Sequence, residues 1–123
     1  MNILKMLIVA TVLLMATPAF AAELLMIHNP DCGFCRAFME QVEPTYGETP
    51  EGKALPLRVL DVTRLGDVRW IRDNHKAGLI DPIEGTPTFI IWDGEEFDRI
   101  AGYGGKDWFY TNLRVILEDF LGE

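Results

Sequence analysis

Leu24–His28 (LLMIH) is followed closely by Cys32-Gly33-Phe34-Cys35 (CGFC), and this stretch determines the first structural unit of the chain. The apolar run predicts a short buried strand. From Cys32 to Tyr46 apolar residues recur at helical spacing, which predicts a helix beginning at the first cysteine. Pro44 is expected to kink or end that helix, because proline has no amide hydrogen to donate. Two thiols therefore stand at the start of a helix, directly after a strand.

The middle of the chain predicts a loop, a second strand and a second helix. Gly47–Pro56 (GETPEGKALP) is rich in turn-forming residues and is predicted to be a loop. Leu57–Val62 (LRVLDV) predicts the second strand. Asp67–Ala77 predicts a short helix, and Asp67 is expected to cap it.

The last third of the chain predicts a hairpin and a final helix. Pro87–Trp92 and Glu96–Ala101 flank Asp93-Gly94, a pair typical of tight hairpins. The final helix is predicted from Asp107 to Leu121. The element order β-α-β-α-β-β-α predicts an α/β fold with a mixed four-stranded sheet and helices on both faces. Its first two strands should be parallel and joined by a right-handed crossover.

The N-terminal residues have the three parts of a secretory signal. Lys5 supplies a positive charge, Met6–Thr17 is an uncharged apolar run, and Ala19-Phe20-Ala21 offers small residues at a cleavage site. A membrane-spanning helix is the alternative, but it needs about 20 apolar residues, and this run is shorter. We expect residues 1–21 to be a cleaved signal peptide and residues 22–123 to form one domain. The mature chain is not expected to insert into a membrane, and export would place its cysteines in an oxidising compartment.

Length and composition exclude several classes of protein. The 123 residues fit one domain, and two cysteines are too few for a disulfide-rich miniprotein. With 49% hydrophobic and 11% aromatic residues, the chain can bury a core, which argues against disorder. The net charge of −8 argues against nucleic acid as a partner.

The two cysteines are the residues best placed for chemistry. The N-terminus of a helix carries partial positive charge, which stabilises a thiolate on Cys32. Cys35 lies one turn further on the apolar face and is expected to be more buried. An exposed attacking sulfur beside a protected one is the arrangement that dithiol exchange needs. We therefore predict a mixed disulfide on Cys32 that Cys35 resolves.

Three other roles for the cysteine pair are possible. A structural disulfide is disfavoured, because closing so small a loop removes little entropy from the unfolded chain. A zinc site needs four ligands, and only His28 and His75, on different elements, are available to complete it. We therefore assign no metal site. Copper binding stays open, because soft thiolates suit Cu(I).

Gly85-Thr86-Pro87-Thr88 (GTPT) lies just before the hairpin, and Gly102 follows it. Together with CGFC these motifs resemble the thioredoxin superfamily, and the similarity runs from Leu24 to the last helix. The resemblance implies a minimal thioredoxin-like fold and a thiol:disulfide oxidoreductase without an organic cofactor. Its redox-active group would be the Cys32–Cys35 disulfide.

The same resemblance assigns roles to residues around the cysteines. It implies that Pro87 forms a cis peptide bond and packs beside the disulfide. It also implies that the backbone of Thr86 pairs with an extended substrate segment, which is a form of β-augmentation. Gly33 and Phe34 would contact the substrate as well.

The chain differs from cytosolic thioredoxins at several residues in and near the CGFC motif. Those proteins have Trp where this chain has Asp31, a buried acid where it has Met26, and Gly-Pro where it has Gly33-Phe34. An aromatic residue after Gly33 and a Thr before the proline resemble periplasmic disulfide isomerases. An isomerase or oxidase is therefore the alternative within this fold.

The stretch Tyr46–Arg58, and Gly102-Tyr103 with the aromatic residues Trp108 and Phe109, resemble the small periplasmic thioredoxins of the bacterial Sox sulfur-oxidation system. That resemblance implies a periplasmic reductant whose partners are cysteine-containing exported proteins, including sulfur-oxidation proteins. An inner-membrane thiol transporter would supply the electrons. We expect a monomer.

Three charged or titratable residues near the motif could tune Cys32. His28 is expected to be a strand residue near the site. Asp31 would raise the pKa of Cys32, against the effect of the helix end, and Arg36 offers a nearby cation. Trp70, Trp92 and Trp108 are predicted to serve in packing.

Overall fold

The computed structural model describes residues 21–122, and residues 1–20 of the predicted signal peptide lie outside this range. A four-stranded mixed sheet forms the centre of the fold, with the strand order β2-β1-β3-β4. β1 is parallel to β2, and β3 is antiparallel to both β1 and β4. The strands are β1 (Glu23–His28), β2 (Leu57–Asp61), β3 (Thr88–Trp92) and β4 (Glu96–Ala101). The predicted mixed sheet, its parallel first pair and its terminal hairpin are confirmed.

Within residues 21–122, five helices flank this sheet. They are α1 (Gly33–Gln41), α2 (Glu43–Tyr46), α3 (Pro50–Ala54), α4 (Leu65–Lys76) and α5 (Lys106–Gly122). The first helix ends at Gln41, and Pro44 lies in the first turn of α2, so the proline accompanies a break as predicted. None of the helices in residues 21–122 is long and apolar enough to cross a membrane.

The sheet is covered on both faces, because alternate residues of its strands point to opposite sides. On the face covered by α1 and α5, Leu24 and Met26 of β1 join a large cluster rich in aromatic rings. On the face covered by α4, Leu25 and Ile27 join a smaller aliphatic cluster. The predicted helices on both faces are confirmed.

The prediction of a loop over Gly47–Pro56 was wrong in part, because this stretch contains α3. The Thr49 side chain caps α3 by accepting from the Gly52 amide at 3.0 Å, and Pro50 occupies the first turn. Gly52 has to be glycine, since a Cβ there would lie 1.9 Å from the Tyr46 carbonyl oxygen. The turn-forming residues of this stretch therefore start and close a short helix.

The prediction that Asp67 caps the second helix was also wrong. α4 begins at Leu65, its N-cap is Arg64, and no side-chain hydrogen bond caps it. The Asp67 carboxylate instead accepts from the Asp61 amide at 2.9 Å. Asp67 thus fastens the start of α4 to the end of β2, which an isolated helix pattern does not reveal.

Candidate active site

Cys32 is the N-cap of α1, with extended backbone angles of φ −88° and ψ 120°. Its Sγ accepts a hydrogen bond from the Cys35 amide at 3.2 Å. The Cys32 amide in turn donates to the Asn29 carbonyl at 3.0 Å, which forms the turn between β1 and the helix. The first cysteine therefore lies where unpaired helix amides stabilise a thiolate.

Cys35 lies one turn further along α1 and is fully buried, whereas Cys32 is partly exposed. Its neighbours in the buried cluster include Phe38 and Met26. Both cysteines are free thiols, as in a reduced dithiol. The expected difference in exposure between the two sulfurs is present.

Thr86 lies beside Cys32 although 54 residues separate them in the chain. The Cys32 thiol donates to the Thr86 carbonyl oxygen at 3.3 Å. The Thr86–Pro87 peptide bond is cis, and the Pro87 carbonyl accepts from the Gly102 amide at 2.8 Å. The fold thus brings together the CGFC and GTPT motifs and Gly102.

The two thiols have opposite pKa shifts. Burial raises the pKa of Cys32, but hydrogen bonds from the Cys35 thiol and amide, and from the Thr86 side chain, outweigh it. The pKa of Cys32 therefore lies below its ordinary value. Burial raises the pKa of Cys35 above its ordinary value, and the neighbouring Cys32 sulfur raises it further. Cys32 is thus the sulfur more readily ionised, and Cys35 keeps its proton.

An open apolar depression lies beside Phe34, the residue before Cys35. It is lined by Phe34, which is 66% exposed, by Trp108 of α5 and by residues 101–104. The depression has a volume of about 380 Å³. A Cβ on Gly104 would lie 2.8 Å from the Trp108 ring, so glycine lets the indole lie against the backbone.

Trp108 thus borders an open depression next to Phe34, whereas the sequence predicted only a packing role for it. It is 40% exposed and shares the depression with Phe34. The Gly104-Gly105 pair ahead of the helix is the one local signal of an open surface there.

The three candidate tuning residues lie near the motif without bonding to it. Among residues 21–122, none of them has a side-chain hydrogen bond to either cysteine. His28 ends β1 opposite Asp61, and its Nδ1 is buried without a partner in the part of the chain described. Arg36 is exposed and donates to the Pro30 carbonyl at 3.4 Å, and Asp31 is exposed.

No group of three or more His, Cys, Asp or Glu side chains that could hold a metal ion occurs within residues 21–122. Met26 is fully buried in the cluster that contains Cys35. The structure therefore places no carboxylate at this position to accept the Cys35 proton.

Comparisons with known proteins agree with this geometry. No protein-family model and no curated protein sequence matches the chain. Among solved structures, the chain is similar to the reduced form of the periplasmic thioredoxin SoxS from Paracoccus pantotrophus. The two share 33% identity with a TM-score of 0.62, over 77% of this chain and 94% of that one.

Two more distant structures have the same fold. A thioredoxin from Thermus thermophilus shares 20% identity with a TM-score of 0.57, over 78% of this chain and 73% of that one. A poplar thioredoxin h shares 22% identity with a TM-score of 0.55, over 80% of this chain and 78% of that one.

Proposed function

The chain belongs to the thioredoxin superfamily and is a thiol–disulfide oxidoreductase, and from this premise we propose that it is a periplasmic reductant of exported proteins. The observation that carries the proposal is the pairing of a partly exposed Cys32 of lowered pKa with a buried Cys35 of raised pKa. One sulfur is ready to attack, and the other is kept protonated until a mixed disulfide has formed.

The reaction begins with the Cys32 thiolate, which has given its proton to water. It attacks one sulfur of a partner disulfide, forms a mixed disulfide and releases the other partner sulfur as a thiolate. Cys35 then attacks the Cys32 sulfur, and the Cys35 proton passes to the released partner thiolate. The partner gains two electrons and leaves as a dithiol, once its second sulfur takes a proton from water. The enzyme is left with a Cys32–Cys35 disulfide.

The absence of a carboxylate base at position 26 favours the partner thiolate as the acceptor of the Cys35 proton. Met26 occupies a buried position in the Cys35 cluster, so no carboxylate lies there to take the proton. The departing partner thiolate is basic, and the chemistry places it close to Cys35 at the step that needs a base.

The surface around Cys32 suits an extended polypeptide. The Thr86 backbone lies within hydrogen-bond distance of Cys32, so a partner strand that pairs with it would bring its cysteine to Cys32. Gly33 and Phe34 are exposed beside the sulfur. An apolar side chain that flanks the partner cysteine could enter the depression between Phe34 and Trp108.

The periplasmic location is supported by the export pattern of residues 1–21 and by the likeness to a protein described as a periplasmic thioredoxin. The same likeness supports sulfur-oxidation proteins as partners. Each turnover consumes the dithiol, so an inner-membrane thiol transporter is proposed as the electron donor. The proposed enzyme is a monomer and needs no cofactor beyond its own cysteines.

Trapping identifies the partners. Cys35→Ser should accumulate mixed disulfides on Cys32 in the periplasm, because the resolving thiol is absent, and mass spectrometry identifies the attached proteins. Cys32→Ser/Cys35→Ser is the matched control and should trap nothing. Trapped partners without any sulfur-oxidation protein would remove that part of the proposal.

Insulin reduction tests the enzymatic step. Wild-type protein should reduce insulin with dithiothreitol as electron source, and Cys32→Ser should not. A Cys32→Ser variant as active as the wild type would overturn the mechanism. Wild-type protein without activity above that of dithiothreitol alone would favour copper binding by the thiols instead.

Equilibration with glutathione buffers separates a reductant from an oxidase or isomerase. A reductant should stay oxidised until the buffer is strongly reducing, because its disulfide is the stable form. A potential as oxidising as that of periplasmic isomerases would assign the chain to the alternative role.

A further inference from the structure

We propose that Arg99 and Glu96 of β4, together called the β4 clamp, are positioning residues that hold residues 77–87 so that Thr86 meets Cys32. The inference rests on the proposed function, in which Thr86 lines the path of the partner. Neither clamp residue lies in the CGFC or GTPT motif.

The clamp is built around one guanidinium group. Arg99 donates from Nη1 to the Pro82 carbonyl at 2.9 Å and from Nη2 to the Asp81 carbonyl at 3.0 Å. Its Nε and Nη2 also donate to both oxygens of the Glu96 carboxylate, at 2.5 and 2.6 Å. One Glu96 oxygen accepts from the Asp81 amide at 3.0 Å. Three backbone groups of the segment are thus bound by a single ion pair.

This ion pair lies largely out of water. The Arg99 side chain is 23% exposed and the Glu96 side chain 9% exposed. Burial raises the pKa of Glu96, but hydrogen bonds from Arg99 and the Asp81 amide outweigh it and hold the pKa below its ordinary value. Both groups therefore stay charged at neutral pH, and charge-assisted bidentate bonds of this kind are the strong ones.

The backbone that the clamp binds lies in an exposed part of the segment. Asp81, Pro82 and residues 84–85 are exposed, whereas Ile80 is buried and Ile83 partly buried in the aliphatic cluster under α4. Other hydrogen bonds hold the segment on either side: the Glu96 amide donates to the Leu79 carbonyl at 2.8 Å, His75 contacts the Ile80 carbonyl at 2.8 Å, and Thr88 donates to the Gly85 carbonyl at 2.7 Å. Within residues 21–122, the hydrogen bonds to the backbone of Asp81 and Pro82 come from the clamp.

Residues of β4 and its end bind the chain on both sides of Thr86. Arg99 of β4 donates to the Pro82 carbonyl, and Gly102, directly after β4, donates to the Pro87 carbonyl. Only residues 83–86 lie between these two points. Loss of the Arg99–Pro82 hydrogen bond would let residues 83–86 shift, and Thr86 could then move away from Cys32.

Arginine is required by this geometry. Its planar group has five donors in a fixed arrangement, whereas the lysine ammonium is a compact charge on a flexible stem. A lysine at position 99 could pair with Glu96 but could not also hold both carbonyls in one plane.

The experiment compares two disulfide substrates across matched variants of the whole chain. Arg99→Met removes the clamp, Arg99→Lys keeps its charge, and Glu96→Gln keeps an oxygen for the Asp81 amide. Arg114→Met is the control, because Arg114 pairs with the buried Glu51 at 2.7 Å but connects only α5 and α3. The substrates are insulin, which must lie across Thr86, and bis(2-hydroxyethyl) disulfide, which is too small to do so.

We expect Arg99→Met to reduce insulin at least about tenfold more slowly, since displacements near 1 Å can cost up to about 100-fold. Its rate with the small disulfide should change less than about threefold, because attack by Cys32 on that substrate does not need the Thr86 backbone. Arg99→Lys and Glu96→Gln should fall between Arg99→Met and the wild type, and Arg114→Met should match the wild type with both substrates.

The pH profile of Cys32 alkylation gives a second readout. The Thr86 side chain helps to lower the pKa of Cys32, so its displacement in Arg99→Met should move the midpoint to higher pH. Loss of structure alone would not shift the midpoint in folded protein. If Arg99→Met does not fold, Glu96→Gln is measured in its place.

The clamp would be overturned if Arg99→Met lost equal activity with both substrates or lost activity with neither. It would also be overturned if Arg114→Met showed the pattern expected of Arg99→Met. Failure of the proposed function would look different, because wild-type protein itself would then reduce the small disulfide and leave insulin intact.

Discussion

On the face covered by α1 and α5, the Phe38 ring lies 4.7 Å from Phe89, 5.0 Å from Phe109 and 5.7 Å from Tyr103, centre to centre. On the face covered by α4, the helix buries no residue completely. An open apolar cavity of about 470 Å³ remains there, between α4 and the segment that leads to Thr86. One face is closely packed by aromatic rings, and the other is packed more loosely.

The candidate active site combines residues from both faces of the sheet. Cys35 belongs to the aromatic face, and Cys32 is carried by the same helix. Thr86 is carried by the segment on the other face, where the ion pair of Arg99 and polar contacts hold the backbone. The position of the cysteines should therefore be governed by core packing, and that of Thr86 by hydrogen bonds.

The largest effect should come from Phe38→Ala, which removes the ring at the centre of the aromatic face. We expect it to lower the free energy of unfolding by about 3–5 kcal/mol, the usual cost of truncating a buried Phe. Ile71→Ala on the other face is the control and should cost about 1 kcal/mol, because Ile71 is only partly buried. Urea unfolding measures both, and equal losses would contradict the difference between the faces.

A smaller effect on stability should follow from Thr88→Val. The Thr88 hydroxyl donates to the Gly85 carbonyl at 2.7 Å, and valine has a similar shape without the donor. We expect a loss of about 1 kcal/mol, since Gly85 is exposed and water can replace the lost bond.

Insulin reduction by Thr88→Val should fall severalfold in protein that is still folded. A small loss of stability together with a severalfold loss of activity would indicate that hydrogen bonds, and not packing, hold the segment. A stability loss as large as that of Phe38→Ala, with activity per folded molecule intact, would argue against it.

The smallest effect should be the dependence of stability on acid pH. Hydrogen bonds from Arg114 hold the pKa of Glu51 below its ordinary 4.5, and Arg99 does the same for Glu96 against the effect of burial. A carboxylate with a lowered folded-state pKa contributes stability above about pH 4.5 that is lost as the pH falls through that lowered pKa. We expect less than about 1 kcal/mol from Glu51, because Arg114 is largely exposed to water.

Urea unfolding between about pH 3 and pH 6 measures this dependence. The pH steps should be smaller than the spread of about one unit that is typical of carboxyl pKa values. Glu51→Gln and Glu96→Gln should each flatten the acid side of the profile. Only Glu96→Gln should also reduce activity toward insulin, since Glu51 lies in α3, in an ion pair with α5. Loss of activity in Glu51→Gln would show that the two ion pairs are not different in function.

Much of the fold could be predicted from short-range patterns. The apolar run before the motif is a strand, the helix begins at the first cysteine, and Asp93-Gly94 closes a hairpin with Gly94 at φ 78°. Each of these depends on residues within a few positions of one another, so periodicity and turn chemistry are enough to find it.

Other features could not be predicted in this way. The helix over Pro50–Ala54 was read as a loop, because the same turn-forming residues serve both structures. Asp67 has the composition of a helix cap, but its partner is the amide of Asp61 on the preceding strand. The Gly104-Gly105 pair indicates an open surface near Trp108 but not that Phe34 of α1 would lie across it. All three depend on which segment packs nearby.

The reactive pair follows from short-range patterns alone: two thiols lie three residues apart at the N-terminus of a helix, one partly exposed to solvent and one facing the core. By contrast, the 3.3 Å contact between the Cys32 sulfur and the Thr86 carbonyl oxygen, and the bonds from Arg99 to the segment that carries Thr86, arise only in the folded chain. The two kinds of feature differ because their interactions have different ranges along the chain. Helix capping and amphipathic burial act within a turn or two of the chain, whereas a contact across 54 residues exists only once β3 has paired with β1 and β4 has paired with β3.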